Sequence, residues 1–318
     1  MNINSIFMPA TLLFSDNAFT PLARKTRDRM RKKATIVRDA ITFSRFGNGE
    51  VRIRVGTDVR SKTVVLFKSF LTRIEGKPAY DPNSCYLELF LANDALKRAG
   101  ARRVIDVIPY IPYLRQDRVA HPGEPISVKL FAEMTYRSGA DTVISVDPHS
   151  VSILPHYARG RMLTTVSLFA DHLKHAVPDM TTCVVIAPDK GAKRRAQAIA
   201  KLLDLPLAVC KKRRDARGRI VNLRCDNLPD GKSHAIIYDD IIDSGGTLFR
   251  TVDALKQAGL RRFTFCCTHA ILSGNALQEL RRRKIRLVTT DSIPLSRAGI
   301  TVISLADLLV KALDEVIR

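Results

Sequence analysis

A chain of 318 residues is long for a single hydrophobic core and suits two domains of ordinary size. With 46% apolar and 26% charged residues and only 16 Gly and 15 Pro, the composition is that of an ordered globular protein and excludes a disordered or collagen-like chain. The formal charge of +21 points to anionic partners, and sign alone does not choose among nucleic acid, acidic lipid and phosphorylated metabolites.

Other features narrow that choice. No helix-turn-helix, zinc-finger or RNA-binding pattern accompanies the charge, and few aromatic residues are present to stack bases, which argues against nucleic acid. No stretch approaches the roughly 18 to 20 apolar residues of a membrane helix, so no membrane partner is expected. Small phosphorylated substrates remain.

In chain order, the apolar run at residues 6–14 has no basic residue before it and contains Pro9, which makes it a poor signal peptide and a better strand and turn. The basic stretch at 24–33 reads as the solvated face of a helix. Short Val- and Ile-rich runs at 64–67, 104–108, 142–146, 183–186, 235–238 and 262–267 have the continuous apolar character of strands in a parallel sheet covered on both faces. Between them lie segments of helical length. Residues 86–99 stop at Gly100, 128–138 at Gly139 and 247–258 at Gly259, while 193–203 follows Gly191. Strand alternating with helix twice over predicts an α/β protein of two doubly wound domains, each with a mainly parallel sheet flanked by helices. The boundary is expected near 155–170, giving domains 1–160 and 161–300. A final segment, 301–318, ends in a helix over 305–317 that packs back on the first domain. Cys85, Cys183, Cys210, Cys225, Cys266 and Cys267 lack zinc-site spacing and are read as reduced, mostly buried thiols in a cytoplasm.

The segment most informative about chemistry runs from Ile236 to Leu248. A buried strand ends in Asp239 and Asp240, and Asp243-Ser244-Gly245-Gly246-Thr247 then opens a helix. Backbone amides of the small-residue loop, the Ser244 and Thr247 hydroxyls and the positive end of the helix dipole together make a phosphate cradle. The paired acids can accept hydrogen bonds from vicinal sugar hydroxyls or hold a hydrated metal. Acids and glycines at strand ends also make plain turns and caps, but the full pattern is more specific than either.

Three further segments have a bland and a functional reading. Arg115-Gln116-Asp117-Arg118 could be a surface salt-bridge cluster, or could offer a guanidinium fork to phosphate and an amide to a purine edge. His149 follows a buried strand, with Asp147 close along the chain to orient it, where a histidine is more often structural than catalytic. The run Lys211-Lys212-Arg213-Arg214 would by itself be a solvated loop.

Taken together, these segments resemble one family. Arg45-Phe46-Gly47-Asn48-Gly49-Glu50, Pro109-Tyr110 through Arg118, Val146-Asp147-Pro148-His149, Ala187-Pro188-Asp189, Lys212-Arg213-Arg214, the Asp239 to Thr247 loop, and Thr268-His269 with Ser273-Gly274-Asn275-Ala276 are similar, in order, to motifs of the ribose-phosphate diphosphokinases. The resemblance covers about residues 40 to 300 and implies the type I phosphoribosyltransferase fold in both domains. It implies transfer of the β,γ-diphosphoryl group of ATP to the anomeric hydroxyl of ribose 5-phosphate, with Mg2+ as cofactor, in the cytoplasm. By resemblance, Phe46 stacks on adenine while Asn48 and Glu50 read its edge near a subunit interface of a homo-oligomer with a dimer as building unit and a hexamer built from it. Arg115, Gln116 and Asp117 hold ATP, and His149 contacts magnesium or the phosphates. Asp189 assists at the metal, and Lys212 and Arg214 are catalytic residues on a mobile loop that closes over the diphosphate. Asp239 and Asp240 face the ribose hydroxyls, while Asp243, Ser244, Gly245, Gly246 and Thr247 bind the 5-phosphate. No residue is implied as base for the anomeric hydroxyl.

Two departures from the family pattern bear on regulation and assembly. Residues 119–127 form a short Pro-Gly-Glu-Pro loop, and Asp189-Lys190-Gly191-Ala192 replaces the usual glycine pair with a cation and alanine. A phosphoribosyltransferase would share the Asp239 to Thr247 loop but have no use for Phe46, Arg115-Gln116 and His149. A non-catalytic regulatory subunit would be expected to lack Lys212, Arg214 or His149, and all three are present.

Overall fold

The computed structural model describes residues 11–30, 34–37, 39–70, 73–74, 77–78, 81–214, 220–295 and 298–317. It divides into two compact units. The first comprises the chain up to Leu163, Asp291–Leu295 and the segment from Ser304; the second comprises Thr164–Thr290 and the strand ending at Ile303.

In chain order the first unit holds β1 (Thr11–Ser15), α1 (Thr20–Arg29), β2 (Ala34–Ile36), β3 (Ile41–Arg45), β4 (Val51–Val55), β5 (Thr63–Phe67), the two-residue strands β6 (Arg73–Ile74) and β7 (Lys77–Pro78), α2 (Pro82–Arg98), β8 (Arg103–Val107), α3 (Ser127–Arg137), β9 (Thr142–Val146), a 3₁₀ segment at Val151–Tyr157, and β10 (Arg161–Leu163). The second holds α4 (Val166–Ala176), β11 (Cys183–Ala187), α5 (Lys193–Leu203), β12 (Leu207–Arg214), β13 (Ile220–Asp226), β14 (His234–Ile242), α6 (Gly246–Gln257), β15 (Arg262–Ala270), α7 (Ala276–Arg282), β16 (Arg286–Thr290) and β17 (Ile300–Ile303). The last helix, α8 (Ala306–Val316), belongs to the first unit and packs against α1.

The sheet of the first unit has the order β10-β9-β8-β5-β1-β2 and is parallel throughout. Both β5 and β9 are buried along their whole length, as the continuous apolar runs require of strands covered on two faces. Leu89, Ala92 and Leu96, three or four residues apart on α2, lie against Val64, Leu66 and Val104 on one side of this sheet. The α2 start is fixed locally: Asp81 Oδ1 accepts from the backbone N–H of Asn83 and of Ser84, both at 2.9 Å, and Pro82 occupies the first turn, where its missing N–H is harmless.

The second sheet has the order β13-β12-β11-β14-β15-β16-β17, with β12–β13 antiparallel and its other pairs parallel. The strand order reverses direction between β11 and β14, and the carboxyl ends at such a crossing form a ready crevice for a ligand.

Several local expectations are refined. Among residues 6–14, those before Thr11 lie outside the described residues, and β1 begins there. On α1 the cations Arg24, Lys25, Arg27 and Arg29 are exposed while Leu22, Ala23 and Thr26 are buried; residues 31–33 lie outside the described ones. Residues Ile300–Ile303 form the edge strand of the second sheet rather than part of the returning segment.

The expectation of six reduced thiols is corrected. Cys210 and Cys225 are joined by a disulfide across the β12–β13 hairpin, and four cysteines are free and buried. The antiparallel register sets Cys210 directly opposite Cys225, a juxtaposition that no short sequence spacing announces.

Candidate active site

In the second unit, the residues singled out in the sequence gather at the carboxyl ends of β11 and β14 and on the β12–β13 hairpin beside them. The β14 strand runs buried to Tyr238 and then presents Asp239 and Asp240, whose side chains are 19% and 3% exposed. Asp240 Oδ1 lies 2.9 Å from a guanidinium nitrogen of Arg195 on α5, and Asp239 Oδ1 lies 3.7 Å from the same nitrogen. Burial, then the neighbouring Asp240 carboxylate, pushes the Asp239 carboxyl well above the usual range; Arg195 opposes this, and the Asp189 charge adds to it.

The turn that follows joins small residues to a helix start. Gly245 has φ +79° at the N-cap of α6, where a glycine brings no capping side chain of its own, and the first turn of the helix carries no acidic residue. The first amides of a helix have no partner within it, so a helix start built of small residues offers donors at the positive end of the dipole. A Cβ on Gly245 would come within 2.5 Å of the buried Phe249 ring, whereas one on Gly246 would meet none of the described residues within 4 Å. Gly245 is thus demanded by the protein's own packing, while the space over Gly246 stays open for a bound group. Asp243 and Thr247 are half-buried and Ser244 is exposed at this turn.

Asp189 lies in the loop between β11 and α5, two residues past the strand, and its Oδ1 accepts from the Ala192 backbone N–H at 3.1 Å. Lys212 and Arg214 sit on β12 itself, their backbones paired with Leu223 and Ile220 of β13, rather than on a loop. Antiparallel pairing with β13 extends this strand, and residues 215–219 lie outside the described ones.

The first unit carries the remaining predicted residues. Phe46, Asn48 and Glu50 form the tip of the β3–β4 hairpin. Phe46 is 51% exposed, with the Arg52 guanidinium 5.6 Å from its ring centre, while Asn48 Oδ1 accepts from the Glu50 backbone N–H at 3.2 Å. Below the tip, Arg45 reaches Glu88 at 3.6 Å, and buried Lys68 bonds Glu88 at 2.8 Å and Asp16 at 3.3 Å, tying the hairpin to α2 and β1.

Arg115 is exposed beyond β8. The Gln116 side chain accepts from the Ser127 hydroxyl at the start of α3, and Asp117 Oδ2 accepts from Ser152 at 2.6 Å. Burial works to raise the Asp117 carboxyl, but hydrogen bonds from Ser152 and Ser150 hold it below its ordinary value. His149 is exposed beyond β9, two residues after Asp147, which is buried with φ +39°. Phe46, Arg115 and His149 thus belong to one unit, and Asp189, Lys212, Arg214 and the β14–α6 turn to the other.

A model of the N-terminal domain of ribose phosphate pyrophosphokinase matches residues 11–139, and one of the phosphoribosyl transferase domain matches residues 167–293. The ribose-phosphate pyrophosphokinase 2 of Enterococcus faecalis is 34% identical over 91% of this chain and 86% of its own length. The chain belongs to the ribose-phosphate pyrophosphokinase family. A second relative, the ribose-phosphate pyrophosphokinase of Vibrio cholerae, is 33% identical over 97% of this chain and 96% of its own. The crystal structure of phosphoribosylpyrophosphate synthetase from Mycobacterium smegmatis superposes with a TM-score of 0.83 at 29% identity, covering 96% of this chain and 98% of that one. The match spans both α/β units, so the fold expected from the family resemblance is the fold observed.

Sequence reasoning about this family member missed Arg195. A signal was present: Lys193-Arg194-Arg195 places three cations in the first turn of α5, where the helix dipole disfavours them and no acid accompanies them. Lys193 and Arg194 are exposed, and Arg195 alone of the three turns inward. Among the described residues, no three His, Cys, Asp or Glu side chains form a cluster that would hold a metal unaided. No helix among the described residues is long and apolar enough to cross a membrane.

Proposed function

We propose that the chain transfers the diphosphoryl group of ATP to the anomeric hydroxyl of ribose 5-phosphate, giving 5-phosphoribosyl 1-diphosphate and AMP. The observation that carries this reading is the small-residue turn at the α6 N-terminus beside the Asp239–Asp240 pair, in a chain whose first unit matches the pyrophosphokinase N-terminal domain. A phosphoribosyltransferase would need the turn but not that first domain. A non-catalytic subunit is disfavoured by the presence of Lys212, Arg214 and His149.

In this reading the 5-phosphate accepts hydrogen bonds from the amides of Asp243 to Thr247 and from the Ser244 and Thr247 hydroxyls, while Asp239 and Asp240 take the ribose hydroxyls. Phe46, with Asn48 and Glu50, receives the adenine. Arg115 binds the phosphates of ATP, with Gln116 and Asp117 shaping its loop through Ser127 and Ser152. The anomeric oxygen forms its bond to the β-phosphorus and gives up its proton to solvent as the bond from the β-phosphorus to the oxygen bridging to the α-phosphate breaks, and AMP leaves with that electron pair. Lys212, Arg214 and Arg115 neutralise the charge that moves, which is the main demand of phosphoryl transfer. His149 and Asp189 are the residues we assign to magnesium, whose charge would help neutralise the phosphate oxygens when bound.

Both substrates are intracellular metabolites, which supports a cytoplasmic location. Exposed Leu87 and Leu91 on α2, and Leu130 and Met134 on α3, each pair one turn apart, support self-association into a homo-oligomer with a dimer as building unit.

Incubation with ribose 5-phosphate, ATP and magnesium should release AMP and phosphoribosyl diphosphate one for one, and ADP in place of AMP would refute the reaction. Lys212→Ala and His149→Ala should each lower kcat by about a thousandfold while calorimetry shows ribose 5-phosphate binding retained.

A further inference from the structure

The assignment of Asp239 and Asp240 to the ribose hydroxyls leaves open what keeps two adjacent, largely buried carboxylates in place. Two acids at successive positions of one strand repel each other, and burial removes the water that would screen them. Arg195 answers both difficulties. Its guanidinium nitrogen lies 2.9 Å from Asp240 Oδ1 and 3.7 Å from Asp239 Oδ1, and its side chain is only 20% exposed.

The placement is not a by-product of helix propensity. The first turn of a helix disfavours cations, and α5 has no acid there to offset Arg195. In the loop before α5, Asp189 accepts from Ala192 N–H through its carboxylate, so Arg195 stands six residues beyond a residue already placed at the same end of the sheet. Arginine also suits the task better than lysine, because its planar fork restricts the orientation of the carboxylates it meets.

We propose that Arg195 is a positioning residue for sugar recognition: it holds Asp240, and through it Asp239, in the orientation that reads the vicinal 2- and 3-hydroxyls of the ribose phosphate. This rests on the proposed function above. It assigns Arg195 no contact with the reacting atoms. The consequence is selective. A site that binds a substrate hydroxyl through fixed, buried acceptors rejects an analogue lacking that hydroxyl strongly, by about 10⁴-fold where the fit is tight. Once the acceptors can move, the analogue loses its handicap.

The test compares kcat/KM for ribose 5-phosphate and 2-deoxyribose 5-phosphate in the full-length wild type, Arg195→Met and Arg195→Lys. The ratio between the sugars should fall by about tenfold to a hundredfold in Arg195→Met, the range of one hydrogen bond to a charged group. Arg195→Lys should recover part of it, and KM for ATP should hold constant. Equal losses for the two sugars would make Arg195 a merely structural residue and overturn the proposal. Arg195→Lys decides the matter alone should Arg195→Met fail to fold, since loss of the fork by itself must lower the ratio. A wild type that makes no phosphoribosyl diphosphate from ribose 5-phosphate and ATP would remove the functional reading itself, whereas an active wild type whose variants keep the full ratio would sink only the role of Arg195.

Discussion

Asp106 lies in the middle of the first unit's sheet, on β8, with no exposed surface. Its Oδ2 accepts from the Asn93 side-chain amide at 2.8 Å, while Asp106 Oδ1, Asn93 Oδ1 and the Tyr136 hydroxyl find no hydrogen-bond partner among the described residues. Burial pushes this carboxyl from 3.8 up to about 7, against the hydrogen bond from Asn93 and with a smaller contribution from the Asp141 charge. The folded state therefore keeps a proton that the unfolded chain releases near pH 4. Stability contributed by this group is full below that point and is lost as pH rises through about 7, beyond which both states are ionised and the effect is constant. The gap between 3.8 and about 7, at about 1.36 kcal/mol per pH unit, amounts to about 4 kcal/mol, of which about 2.5 kcal/mol falls between pH 5 and pH 8. Asp106→Asn keeps the shape, removes the titration and offers a donor toward Asn93 Oδ1. Denaturant unfolding of both proteins, monitored at several pH values, should show the variant gaining about 2.5 kcal/mol on the wild type between pH 5 and pH 8. Other carboxylates titrate in both proteins and cancel in the difference. Stability curves that run parallel across this range would refute the argument.

Two further outcomes follow from the second unit. Gly245→Ala forces a side chain into a left-handed backbone and against the Phe249 ring. It should cost about 1 to 2 kcal/mol from the backbone alone, raise KM for ribose 5-phosphate and leave KM for ATP unchanged; unaltered melting temperature and KM would remove the cradle from this turn. Thiol titration of the denatured, unreduced protein should find the four free cysteines, rising to all six after reduction, and six thiols without reductant would show the Cys210–Cys225 link to be absent.

Features set by neighbours along the chain are legible in the sequence alone. Continuous apolar runs such as 142–146 suit only strands buried on both faces, and the fold places them there. The helix that stops at Gly100 does so because the chain there needs φ +89°, which glycine adopts without strain. The proposed phosphate cradle is legible for the same reason, since strand, turn and helix start are contiguous and their chemistry is carried by small residues in a fixed order.

What escapes the sequence depends on register between distant segments. Cys210 and Cys225 are 15 residues apart, and only the antiparallel pairing of β12 with β13 sets them opposite each other. The same pairing turns a run of cations that reads as a solvated loop into the end of a strand. Arg195 is the sharpest case. Three consecutive cations have the same local propensity and the same unfavourable place on the helix dipole, so nothing local distinguishes them. Because α5 covers β11 and β14, the inward-facing position in its first turn points at the end of β14, and the identity of the residue there matters in a way that its two neighbours' does not. A +21 chain can carry many exposed cations without consequence; the informative one is the cation whose exposure the fold removes and whose counter-charges arrive from more than 40 residues away in sequence.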